Sequence, residues 1–154
     1  MYSGTGNGSF DDNNQKMFVL DTVSKLDSTW SVLVFVHIVF SGFDNDNGIS
    51  ILEPAGKKIF DFFESVKDSS ECSFVGIFSG HSHLDYLNEN DYSLPVTTTT
   101  CDAIGYYNQT ANYYLREENT FTEQAFDVVQ VDTNQRKVYL TRIGAGSDRF
   151  YFYS

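Results

Sequence analysis

Three histidines make up the whole histidine content of this chain, His37, His81 and His83, and each stands where a metal ligand would be expected. His37 follows the apolar run Val32-Leu33-Val34-Phe35-Val36, while His81 and His83 form Gly80-His81-Ser82-His83 behind Phe74 to Ser79. A neutral imidazole nitrogen ligates a divalent ion at about 2.0–2.1 Å, so two imidazoles on one loop suggest a metal site and, with it, hydrolytic chemistry. A lone histidine after an apolar strand is ordinarily a hydrogen-bonded residue, and His37 alone carries little. The His-x-His pair carries more. A buried strand delivers it to a sheet edge, and Gly80 lets the backbone turn sharply just before it.

The elements that must position these residues form a strand, helix, strand unit. Ser31 to Phe40 reads as a long buried strand because its apolar residues run without alternation. A helix follows. Glu53 and Pro54 suit its first turn, and Leu52, Ala55, Ile59, Phe62, Phe63 and Val66 recur at the spacing of one buried face. The next strand ends at Gly80. Such a crossover makes its two strands parallel, so His37 and His81 emerge together at the carboxyl ends, where α/β sheets place ligand sites.

Later segments change character. Ala125 to Asp132 and Lys137 to Ile143 read as an antiparallel hairpin joined by residues 133–136, with Arg149 to Tyr153 as a last strand. Met17 to Asp21 reads as a short strand. Residues 1–16, rich in Gly, Ser, Asn and Asp, read as a flexible N-terminal segment ahead of a domain over residues 17–154.

On these residues the chain resembles the C-terminal half of a calcineurin-like metallophosphoesterase, of the type encoded by phages and low-GC Gram-positive bacteria. Gly80-His81-Ser82-His83 is similar to that family's closing Gly-His-x-His motif, and His37 to the single-histidine motif before it. Phe18 to Asp21, Leu94 to Ala103, Thr122 to Val129 and Arg142 to Arg149 add to the likeness. The resemblance implies an α/β (α+β) fold: half of a two-sheet β-sandwich flanked by helices. It also implies metal ligation by His37, His81 and His83, with Mn, Fe, Zn or Ni as the divalent ion, and hydrolysis of phosphate mono- or diesters.

The family's other motifs, Asp-x-His, Gly-Asp and Gly-Asn-His, do not occur in the sequence. In the family they supply the carboxylate that bridges two ions held about 3.5–4 Å apart. Without that carboxylate the two dications repel strongly. By resemblance His37 and His81 would serve one ion and His83 the other. This chain alone is therefore expected to bind metal incompletely and to be inactive, with the first half of the site missing or on a separate chain. A rearranged site of the three histidines would hold one zinc. Two alternatives stand beside this reading: a noncatalytic binding or assembly remnant, in a phage particle for example, and an unrelated mononuclear zinc protein. Cutting the family sandwich in half would also expose apolar edges, including Val32 to Val36, and favour oligomers.

Nearby acids add no ligands. Asp44, Asp46 and Asp85 read as loop residues whose short side chains bond local backbone, and the calcium-loop Glu expected after Asp44 and Asp46 is absent. The tyrosines at 86, 92, 106, 107, 113 and 114 read as packing residues in preference to a base-stacking platform. Gly144 and Gly146 read as turn residues, and Asp148 with Arg149 as a local ion pair.

Composition sets outer limits. At 154 residues with 41% hydrophobic content the chain suits one globular domain. A net charge of −11 repels phosphate backbones, which argues against nucleic-acid partners. Cys72 and Cys101 form no metal-ligand spacing and read as reduced thiols. No apolar run reaches membrane-spanning length, and no signal peptide is visible, so the sequence reads as cytoplasmic or virion-associated.

Overall fold

A computed structural model describes residues 13–37, 54–80, 94–98 and 116–154, together with the backbone of three short strands at 43–44, 48–49 and 86–88. In chain order the elements are helix α1 (Asn13–Val23), strands β1 (Ser31–Val36), β2 (Phe43–Asp44) and β3 (Gly48–Ile49), and helix α2 (Pro54–Asp68). Strands β4 (Ser73–Ser79), β5 (Tyr86–Asn88), β6 (Val96–Thr98), β7 (Ala125–Asp132), β8 (Lys137–Gly144) and β9 (Arg149–Phe152) follow.

The first element departs from the sequence expectation. Residues 17–21, read as a strand, lie inside α1, which opens at Asn13. The run Phe18-Val19-Leu20 looks the same in either conformation over so short a window. Tertiary packing decides. Val19 and Val23, one helical turn apart, are buried against α2 and the sheet, while Met17, Phe18 and Leu20 stay exposed. Beyond the helix, Asp27 accepts from the Thr29 amide and hydroxyl at 2.9 and 2.5 Å, and these bonds hold its carboxyl below the usual range.

Helix α2 begins at Pro54, whose fixed φ and missing N–H suit a first turn. Its buried line is Phe60, Phe63 and Val66, with Ile59 and Phe62 half-buried at the flank. Of the expected face, Phe63 and Val66 are buried and Ile59 and Phe62 lie at its flank, while Phe60 joins the buried line. Two apolar lines run side by side on this helix, and only the sheet beneath selects between them. Leu52 lies outside the described residues.

The four-stranded sheet has the order β1-β4-β6-β5; β1 and β6 run parallel to β4, and β5 antiparallel to β6. The second sheet, β7-β8-β9, is an antiparallel meander. Its first turn is built by Asp132, whose carboxylate accepts from the amides of Asn134 and Gln135 at 2.9 Å, and by Arg136 at φ 49. The hairpin and the final strand fall where the β-rich runs place them. A small antiparallel pair, β2 with β3, occupies the stretch read as a loop around Asp44.

The described chain stacks in three layers. One apolar cluster joins α1 and α2 to the first sheet through Phe60, Phe63, Phe74 and Ile77. A second joins the two sheets through Val75, Val138, Leu140, Tyr151 and Tyr153. Each fully buried aliphatic or aromatic side chain contributes about 1.5–3 kcal/mol. The observed class is mixed α and β with two small sheets and two helices. Among the described residues no helix is long and apolar enough to cross a membrane.

Candidate metal centre

Strand β4 carries the site's backbone geometry. The pairing of β1 with β4 shifts by one residue between Val32 and Leu33: Val32 faces Phe74, but Leu33 faces Gly76. The extra residue is a β-bulge, and it resets the alternation. Phe74 and Ile77 point to the helices, whereas Val75 and Phe78 point to the second sheet. Gly76 itself sits at φ +151, where a Cβ would lie 2.8 Å from the Tyr151 hydroxyl and 2.9 Å from the Pro95 carbonyl oxygen. Only glycine fits there.

The shifted register runs to the end of both strands, with Val36 opposite Ser79. One step further, the Gly80 N–H donates to the His37 carbonyl at 3.1 Å. His37 and the residue that precedes His81 are thus bonded neighbours at the carboxyl ends of two parallel strands, as the sequence pattern requires. His81 and His83 themselves lie outside the described residues, as do Asp46, Asp85 and Cys101. Asp44 is described by its backbone alone.

His37 is exposed and lines a cleft of about 460 Å³ between the sheets. Phe35, Val36, Phe78, Ser79 and Thr97 form its wall on the first sheet; Phe126, Asp127, Val129 and Leu140 form the other. Phe35 and Phe78 stack with centroids 5.2 Å apart. The Ser79 hydroxyl is buried beside them without a hydrogen-bond partner.

A metal at this corner would draw on imidazole nitrogens. Among the described residues no group of three or more His, Cys, Asp or Glu side chains is arranged to hold an ion, and His37 is the described member of the expected set. Its exposure and its place beside Gly80 fit a donor. Asp127, which also lines the cleft, is committed elsewhere. Its carboxylate accepts from Arg142 Nε at 2.7 Å and from Arg149 Nη2, with Asp127 and Arg142 side chains 3% and 2% exposed. Arg142 also donates to the Ala145 carbonyl at 2.6 Å.

This cluster corrects one expectation and adds a feature that the sequence reading missed. Arg149 pairs with Asp127 across the sheet, not with neighbouring Asp148, whose carboxylate accepts the Arg142 amide at 2.8 Å. Strand alternation explains it: Asp127, Arg142 and Arg149 all face inward, and register sets Asp127 opposite Arg142. The inward phase of β7 was the available signal. Gly144 and Gly146 do serve turn geometry, with φ 96 and 112.

Cys72 is a buried free thiol. Of the six tyrosines between 86 and 114, Tyr86 has only its backbone described, in β5, and the rest lie outside the described residues. No protein-family model, no curated protein and no solved structure matches the chain.

Proposed function

We propose that this chain carries the histidine half of a metal-dependent phosphoesterase site, with His37, His81 and His83 as ligands to Mn, Fe, Zn or Ni and phosphate mono- or diesters as the substrate class. The observation that supports the reading is the bond from the Gly80 N–H to the His37 carbonyl, which holds a histidine beside the corner from which His81 and His83 follow in sequence. Divalent ions at such a site polarise phosphoryl oxygens and lower the pKa of water. The chain's own residues bind and orient. Neutral imidazoles would donate their lone pairs to the ion.

The sequence holds none of the Asp-x-His, Gly-Asp or Gly-Asn-His motifs. Carboxylate ligands must come from outside it, so turnover by this chain alone is not expected. The test is elemental analysis of the purified chain together with an aryl phosphate assay in added Mn, against the His81→Ala, His83→Ala double variant. Metal below one ion per chain that falls further in the variant, with no turnover, agrees with the reading. Metal content indifferent to the histidines contradicts it. Two ions per chain with turnover lost in His81→Ala would show the site to be whole. A noncatalytic assembly role is favoured by one separate feature, the exposed Phe35 on strand β1, which is an edge among the described residues.

A further inference from the structure

Residues 28–43 contain no Asp, Glu, Lys or Arg, in a chain with 21 acidic and 10 basic residues. Strand β1 lies in this window and forms the edge of its sheet among the described residues. Protected edge strands carry lysine, proline, a bulge or an inward charge. Strand β1, Ser-Val-Leu-Val-Phe-Val, carries none; the bulge opposite it belongs to β4. In a parallel pair alternate amides and carbonyls of each strand point away from the partner, so β1 presents hydrogen-bonding groups outward. Its Phe35 lies on the face that meets the second sheet and is still 66% exposed. An inward-facing aromatic left this open marks a place where a packed layer stops short.

We propose that β1 is the surface on which two copies of this chain associate, edge to edge and antiparallel about a two-fold axis. Such an axis, perpendicular to the sheet, pairs β1 with itself and keeps the inner faces on the same side, so the two four-stranded sheets continue through the interface and the two Phe35 rings approach over the adjoining clefts. Charge selects this edge. Copies that each carry −11 repel where acidic surfaces meet, and the uncharged window lets them touch without facing carboxylates. Phe35 and Trp30, 66% and 56% exposed, leave about 270 Å² of aromatic surface per copy. That is about a third of the area a standard interface takes from each partner, and backbone pairing adds to it. The dimer is therefore weak, with a dissociation constant in the micromolar range.

This association requires no metal, so it stands or falls apart from the phosphoesterase reading. The experiment is sedimentation velocity of the full chain in EDTA from about 1 to about 200 µM, comparing Phe35→Glu with Phe152→Glu, which adds the same charge on the outer face of β9. A concentration-dependent dimer weakened at least about tenfold by Phe35→Glu and little changed by Phe152→Glu supports the proposal. A monomer throughout, or a dimer indifferent to Phe35→Glu, overturns it. Hydrogen exchange of the unaltered chain gives an answer that needs no variant. Protection of β1 amides rising with protein concentration supports the proposal, and unchanged protection overturns it.

Discussion

The two sheets solve the same packing problem in different ways. Strand β4 in the first sheet is covered on both sides, by the helices and by the second sheet, and Phe74, Val75 and Ile77 have no exposed surface. Strand β8 in the second sheet is covered on one. Val138 and Leu140 are buried, but the outer face leaves Phe150 and Phe152 of β9 and Val128 of β7 about half exposed, with Lys137 lying over the Phe150 and Phe152 rings. The candidate metal corner lies at the carboxyl ends of β1 and β4 in the doubly covered sheet. The singly covered sheet supplies a wall and a charge cluster.

Three substitutions probe the difference between the sheets. Gly76→Ala attacks the bulge where the sheets touch. A methyl there meets the Tyr151 hydroxyl and the Pro95 carbonyl in a backbone conformation that alanine rarely adopts, and the expected loss is about 4 kcal/mol in a urea melt. Asp127→Asn leaves two inward guanidiniums against an uncharged amide. About 3 kcal/mol should be lost, with the second sheet's amides exchanging faster than those of β4.

Tyr151→Phe is the smallest change. The Tyr151 hydroxyl is buried without a partner, so its removal should alter stability at neutral pH by less than about 1 kcal/mol. Burial, and then the neighbouring Tyr153, push this phenol well above its ordinary range. A raised folded pKa contributes stability that is intact below the unfolded value, near 10, and lost as pH climbs from there towards the folded value. Melts between about pH 9 and 11 should therefore show the unaltered chain weakening and Tyr151→Phe weakening less. Equal slopes would mean that the phenol ionises freely.

The comparison also explains what could be read from the sequence. The second sheet was legible nearly to the residue, because Ala125 to Asp132 and Lys137 to Gly144 are short runs rich in β-forming residues separated by a turn segment, although only β8 alternates in burial. The first sheet writes a continuous apolar run, which gave β4 and its parallel pairing with β1 but hid the bulge at Gly76. Helix α1 was misread because only Val19 and Val23 touch the core, and two contacts four residues apart leave no pattern within a five-residue window. The partner of Arg149 and the addition of Phe60 to the buried line of α2 depend on which face meets which neighbour, and local sequence does not contain that. Of the candidate site, His37 is described, its carbonyl accepting from the Gly80 N–H, while His81 and His83 lie outside the described residues.

The most direct test of the central claim is a zinc titration of the purified chain against a chromophoric chelator, repeated with His37→Ala and with the His81→Ala, His83→Ala double variant. A single site of micromolar or weaker affinity, lost in both variants, is the expected result. Zinc binding that neither variant changes would contradict the claim that these three histidines form one metal corner.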